Sequence, residues 1–265
     1  MIPADFNKQP QNNDAEALIV TTLAGNVVQW DQNAETMFGY AGAEAIGHPI
    51  DELIVVPDQV EDEKELRQAT AEDGFTNYET IYHRKDGSMI YVLNTNKLLR
   101  DPRRATEFII SNKSDMTQFN RVRDTNLAEE KYGGLLESMP DGIIMVNVTG
   151  HIVLANSQME KIFGYERGEL LGQFVEVLVP ERFRGTHTGQ RNTYFCKPCR
   201  RPMHSGLELY GRRKDGTEFP VEISLGPLQP EKSTLVISAI RDVSERNQAA
   251  RHPAQSTGCP NHPDV

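Results

Sequence analysis

The chain is 265 residues long, with 28 Lys+Arg against 38 Asp+Glu, a formal net charge of −10 and a mean hydropathy of −0.53. That length suits one large domain or two small ones, and a pI near 5.2 argues against a nucleic-acid-binding surface. No uncharged apolar run reaches the ~18–20 residues of a spanning helix, the N-terminus lacks the basic and apolar regions of a signal peptide, and three cysteines suit a reducing compartment. The expectation is a cytoplasmic protein with no membrane partner.

In chain order, an Asn/Gln/Pro-rich tail (1–13) precedes a predicted strand at Leu18–Thr22, a turn at Gly25-Asn26 and a second strand at Val27–Trp30. A short helix, Asn33–Phe38, stops at Gly39, a usual residue just past a helix end. Helices and loops follow, including the acidic run Asp58–Glu65, which reads as a solvated helix face. Tyr78–His83 and Met89–Leu93 flank Asp86-Gly87, a pair that signals a type I′ hairpin, and Glu107–Asn112 is a closing strand. Residues 118–137 are polar with sparse apolar spacing (Phe119, Val122, Leu127, Leu135, Leu136), interrupted by Gly133-Gly134 where a hinge is expected. They read as a dimerising helix or as a solvated linker, the former favoured.

The pattern then repeats. Leu23–Trp30 aligns with Val148–Ala155, Phe38-Gly39-Tyr40 with Phe163-Gly164-Tyr165, and Ile46-Gly47 with Leu171-Gly172, all 125 residues apart. Arg84-Lys85-Asp86-Gly87 matches Arg213-Lys214-Asp215-Gly216 at a spacing of 129, so the second copy carries a four-residue insertion before this block. Ser114-Asp115-Met116-Thr117 matches Arg241-Asp242-Val243-Ser244. The second copy's predicted strands are Gly142–Val146, Ile152–Leu154, Leu207–Gly211, Glu218–Ser224 and Thr234–Ile240, with a helix at Ser157–Phe163. A period this long means duplicated domains, since solenoid repeats run ~20–50 residues. Each is expected to be an α+β domain with a five-stranded antiparallel sheet and helices over one face. The charge divides unevenly, with 12 basic against 21 acidic residues in 1–125 and 16 against 17 in 126–265.

The G-x-[IV]-V strand, the F-G-Y after the first helix, the R-K-D-G hairpin and the acidic exits Asp115-Met116-Thr117 and Asp242-Val243-Ser244-Glu245-Arg246 resemble those of PAS domains, sensory modules of bacterial signalling proteins. The expected boundaries are 14–117 and 138–246 for the two domains, 118–137 for a helical linker, and 1–13 and 247–265 for disordered tails. The resemblance implies a non-enzymatic signal-transduction sensor. It would bind a small ligand or sense redox or gas, and act by contact with a signalling partner or as a homodimer through a PAS domain and the linker helix. No nucleic acid is expected as partner. His252-Pro253 ends the family's output helix, which favours a stand-alone sensor over the sensor portion of a histidine kinase or diguanylate cyclase.

The ligand is expected in the second domain, in a pocket lined by Ile162, Phe163, Leu171, Leu178, Leu207 and Ile237, with the first domain serving contact. His187 lies in Pro180-Glu181-Arg182-Phe183-Arg184-Gly185-Thr186-His187, similar to the P-E-x-x-R-x-x-H context of haem-ligating histidines in rhizobial oxygen-sensor kinases, so haem is the candidate cofactor. Counting back from Asp215 puts apolar Leu207 where those sensors have a distal Arg. A capped or charge-paired surface His is the competing reading, and it is the favoured one. Cys196 and Cys199 form a C-x-x-C near His187 and His204; loop cysteines are favoured over a zinc or redox pair, and no metal is expected. Neither copy has the reactive-cysteine helix of flavin photosensors, so flavin is not expected.

Overall fold

The computed structural model describes residues 16–101, 106–196, 201–202, 209–228 and 234–246. Both expected tails lie outside the described residues.

The first copy comprises β1 (Glu16–Thr22), β2 (Val27–Trp30), α1 (Gln32–Phe38), α2 (Gly42–Ala45), α3 (Ile50–Leu53), a 3₁₀ turn (Pro57–Gln59), α4 (Val60–Asp73), β3 (Phe75–His83), β4 (Met89–Asp101) and β5 (Thr106–Asp115). Its sheet is antiparallel in the order β2-β1-β5-β4-β3. α1 starts where Asp31 accepts the Ala34 N–H at 2.8 Å and ends at Gly39, whose φ of 78° is the left-handed conformation glycine adopts freely. Ala17, Ile19, Phe38, Ile54, Ile90 and Val92 form the core between sheet and helices.

α5 (Thr117–Glu137) leads to the second copy: β6 (Gly142–Asn147), β7 (Ile152–Ala155), α6 (Ser157–Phe163), α7 (Arg167–Leu170), a 3₁₀ turn (Val175–Leu178), α8 (Glu181–Cys196), β8 (Arg201–Pro202), β9 (Leu209–Arg212), β10 (Glu218–Leu228) and β11 (Leu235–Asp242). The sheet repeats the order as β7-β6-β11-β10, with the edge place beside β10 shared by β9 and β8. Continuing the β9 register would put position 206 opposite Ser224, but Pro202 stands there. The four-residue insertion is therefore absorbed in this edge strand.

Two expectations change. Gly87 N donates to Arg84 O and Arg84 N to Ser88 O, so the turn is Arg84–Gly87 with Lys85-Asp86 at its centre. This is a three-residue loop with glycine at the bulge, not the two-residue type I′ turn expected. The Asp86 carboxylate accepts the Ser88 N–H at 2.8 Å, and the second copy repeats the arrangement at Arg213–Thr217. The other change is in α5, which runs through Gly133-Gly134 without a break. A helical glycine costs only about 1 kcal/mol against alanine, and Ala128 and Leu136 bury themselves against Ile143, Met145, Val153, Leu154 and Leu235 on the outer face of the second sheet.

The repeated motif residues lock each fold. Arg84 donates to Met37 O at the end of α1 and to Asp115 at the exit of β5. Arg213 does the same with Ile162 O and Asp242. Lys85–Glu44 and Lys214–Glu169 are the matching ion pairs, each 2.6 Å.

Candidate functional site

Strand alternation places residues i and i+2 on one face, and in the first copy the inward rows turn polar past the apolar core. Tyr82, Asn94 and Lys113 meet there, each no more than 2% exposed. Lys113 Nζ donates to Asn94 Oδ1 at 2.5 Å and to Tyr82 Oη at 3.1 Å, and lies 4.5 Å from the centre of the Tyr82 ring. Asn94 Nδ2 also donates to Tyr82 Oη. Across the gap, α4 supplies Glu63, which accepts hydrogen bonds from Tyr78 (2.7 Å) and Tyr82. One turn on, Arg67 Nη2 grips both oxygens of Asp51 at 2.9 and 2.7 Å. Glu63, Arg67, Tyr78, Tyr82 and Lys113, with Thr21, Ile50, Val55, Asn96, Ile109 and Ser111, line a cavity of about 20 Å3, room for about one water.

The electrostatics follow from burial. Desolvation pushes the Lys113 pKa down to about 8 from 10.5, partly offset by the attraction of Glu63. Burial, reinforced by Glu63, raises Tyr78 and Tyr82, so both stay protonated donors. Among the described residues no carboxylate lies within ion-pair distance of Lys113, and Asn96 Oδ1 is buried without a partner.

The second copy is an internal control. The cross-strand pair Asn94–Lys113 corresponds to Ile223–Ile240, Asn96–Ser111 to Leu225–Ser238, and Thr21–Ile109 to Val146–Val236; Tyr82 corresponds to Gly211. Of the sheet's polar members only Ser111 keeps its type; on the helix side the Arg67–Asp51 pair recurs as Arg191–Glu176, so it is the sheet wall of the chamber that belongs to the first copy.

A polar junction joins the two copies. Asp124 on α5 is fully buried and accepts from Tyr91 Oη on β4 and Asn147 Nδ2 on β6, both at 3.2 Å. Beside it Met89 and Tyr91 of the first sheet pack with Val148, Tyr194, Phe195 and Val236 of the second copy.

A family model described as PAS fold matches residues 9–111, and one described as PAS domain matches residues 140–245. The chain is a tandem of two PAS domains. It is 30% identical over 128 residues to the sensor protein FixL of Bradyrhizobium diazoefficiens (48% of this chain, 24% of that protein). It is 26% identical over 121 residues to the oxygen sensor protein DosP of Escherichia coli (45% and 15%). It thus spans a quarter or less of these relatives' lengths. Among solved structures, a PAS domain from Colwellia psychrerythraea is 25% identical, covering 39% of this chain and 87% of its own, with TM-score 0.36. A PAS domain of an HTR-like protein from Haloarcula marismortui is 23% identical, covering 46% and 98%, with TM-score 0.37. Among the described residues no helix is long and apolar enough to cross a membrane.

In the second PAS domain, Phe163 and Leu178 are buried in one packed core, with Ile162 and Leu171 against it. Ile237 is the correction. It pairs with Met145 and packs on the opposite face with the α5 cluster, because it is an odd number of residues from inward Ile240. Leu207, Cys199 and His204 lie outside the described residues, as does the Cys196 side chain. His187 Nδ1 sits 3.0 Å from Glu176 Oε1, an oxygen that also accepts from Arg191 Nε at 3.0 Å. Held so, the ring has donor chemistry suited to a metal. The face a haem would need is closed: Ile144, Val146, Phe163, Leu178, Phe219, Val221 and Ile240 are all at most 5% exposed. The residues as packed do not fit haem.

The chamber was missed in the sequence because Glu63 sits in an acidic run and Lys113 in a polar strand end. The available signal was the comparison of the two copies: polar residues at every second position of β3, β4 and β5, where the second copy has apolar ones.

Proposed function

We propose that this tandem PAS chain is a non-enzymatic sensory module whose first domain takes a small polar ligand, with α5 passing the change to the second domain and to a protein partner. The expected ligand domain thus moves from the second copy to the first. The observation that carries the reading is the buried Lys113–Asn94–Tyr82–Glu63 network around a cavity, whose sheet members Lys113, Asn94 and Tyr82 are Ile240, Ile223 and Gly211 in the other copy. Buried ionisable groups with shifted pKa values gathered at a cavity mark a candidate functional site. Likeness to FixL and DosP, named as a sensor and an oxygen sensor, supports the sensory role. Phe119 and Val122, exposed on α5, offer a face for a partner or second copy.

The test is a thermal-shift screen of small organic acids, amino acids, amines and polyols against wild type and the Asn94→Ile/Lys113→Ile pair, which installs the second copy's own residues. Saturation at a hundred times Kd adds about 2.7 kcal/mol, so at least one compound should raise the wild-type midpoint and leave the variant unmoved. A screen with no such compound overturns the proposal. A second reading, haem at His187, is favoured by the FixL likeness and opposed by the closed core. After haem reconstitution, a Soret band lost in His187→Ala would support it.

A further inference from the structure

The unfilled hydrogen-bonding capacity of the chamber says what kind of ligand would complete it. Lys113 has three N–H donors and uses two, both on neutral groups. Arg67 engages Asp51 through Nη2 alone. The donors left over are therefore cationic, and they come from opposite walls, the sheet and α4. The acceptor left over is Asn96 Oδ1, 5% exposed for the residue as a whole and without a partner. Glu63 is already engaged by two phenols. Glu63 and Asp51 balance Lys113 and Arg67, so one added negative charge, or none in the case of a zwitterion, is tolerable where a doubly charged phosphate would leave an excess in a desolvated space.

We infer, on the reading that the first domain is the ligand domain, that the chamber binds a small monocarboxylate bearing a hydrogen-bond donor on its α-carbon, an α-hydroxy or α-amino acid. The carboxylate lies against Lys113 Nζ and the Arg67 guanidinium, and the α-substituent donates to Asn96 Oδ1. Guanidinium and carboxylate match in plane and spacing. The depressed Lys113 pKa fits the same picture, since an anion beside the ammonium would restore the charged form.

Such a ligand is larger than one water, so admission requires a wall to move, and α4 is built for it. Its buried residues are Glu63 and Thr70, held by hydrogen bonds to Tyr78, Tyr82 and Thr76. Beyond Val60, which packs on the apolar core at the start of the helix, α4 is docked through polar contacts, and each such bond exchanged for water costs only about 1 kcal/mol net. The ligand's own bonds to Arg67 then tie the displaced helix back to the sheet.

The experiment is titration calorimetry on the full chain with L-lactate and glycine, against propionate, which lacks the donor, and lactamide, which lacks the charge. L-lactate or glycine should bind at least tenfold more tightly than both controls, with the preference over propionate lost in Asn96→Leu and all binding lost in Lys113→Ile. Circular dichroism of the two variants, whose new residues occupy the same places in the second copy, checks folding. Equal binding of propionate, or L-lactate and glycine binding that survives Lys113→Ile, overturns the inference. Failure of both acids while another screened compound binds in a Lys113-dependent way overturns the ligand class and leaves the ligand domain standing. Failure of every compound overturns both.

Discussion

Lys113 is the residue on which most of the first domain's behaviour turns. Its ammonium is fully buried with a pKa lowered to about 8, whereas in the unfolded chain it stays near 10.5. Between those values the unfolded state holds a proton that the folded state has released, so stability rises with pH across that window. The full effect is on the order of 3 kcal/mol. Tyr78, Tyr82 and Tyr91 act in the opposite sense, because their raised values keep them protonated in the fold after the unfolded chain ionises near pH 10. Denaturant titrations should show stability climbing from pH 8 towards 10 and falling above it, with the climb abolished in Lys113→Ile. A flat profile from 8 to 10 in wild type would refute this account.

Among elements, α4 and α5 differ most in how they are held. α5 buries Ala128 and Leu136 in an apolar cluster, whereas the buried residues of α4 are a glutamate and a threonine. Segments with few buried apolar contacts open locally before the rest of a domain. Native-state hydrogen exchange should find the amides of α4 opening at a lower free energy than those of β4 and β5. Glu63→Ala, which leaves two phenols without an acceptor, should lower the α4 value by a further 1–3 kcal/mol or so while sparing the sheet of the second domain. Exchange of α4 in step with the first sheet would show that it is no lid. The same contrast explains the glycine pair in α5: propensity predicts a break, and tertiary packing overrides it.

At the scale of the whole molecule the two domains meet through Asp124, Tyr91 and Asn147 and through the apolar contacts of Tyr194 and Phe195. Removing the shared acceptor strands two buried donors, at about 1–3 kcal/mol. Wild type should unfold in one calorimetric transition, and Asp124→Ala should split it into two. Two transitions in wild type, or a single one in the variant, would mean the junction does not couple the domains.

The number of domains, their antiparallel five-place sheets and their family were legible because those features rest on local signals: a 125-residue repeat, glycine stops, and hairpin motifs whose Arg pairs with the aspartate at the exit of the last strand. The insertion too could be counted, though only pairing against β10 placed it in the edge strand. The chamber was not legible in one copy read alone. Glu63, Asn94 and Lys113 are ordinary polar residues in their own segments, and each becomes unusual only when long-range strand pairing and the docking of α4 bring them together away from water. Ile237 shows the converse. Its apolar character marked it for burial, but which of two cores it joined depended on strand parity and on α5 covering the outer face, and that is a matter of tertiary structure.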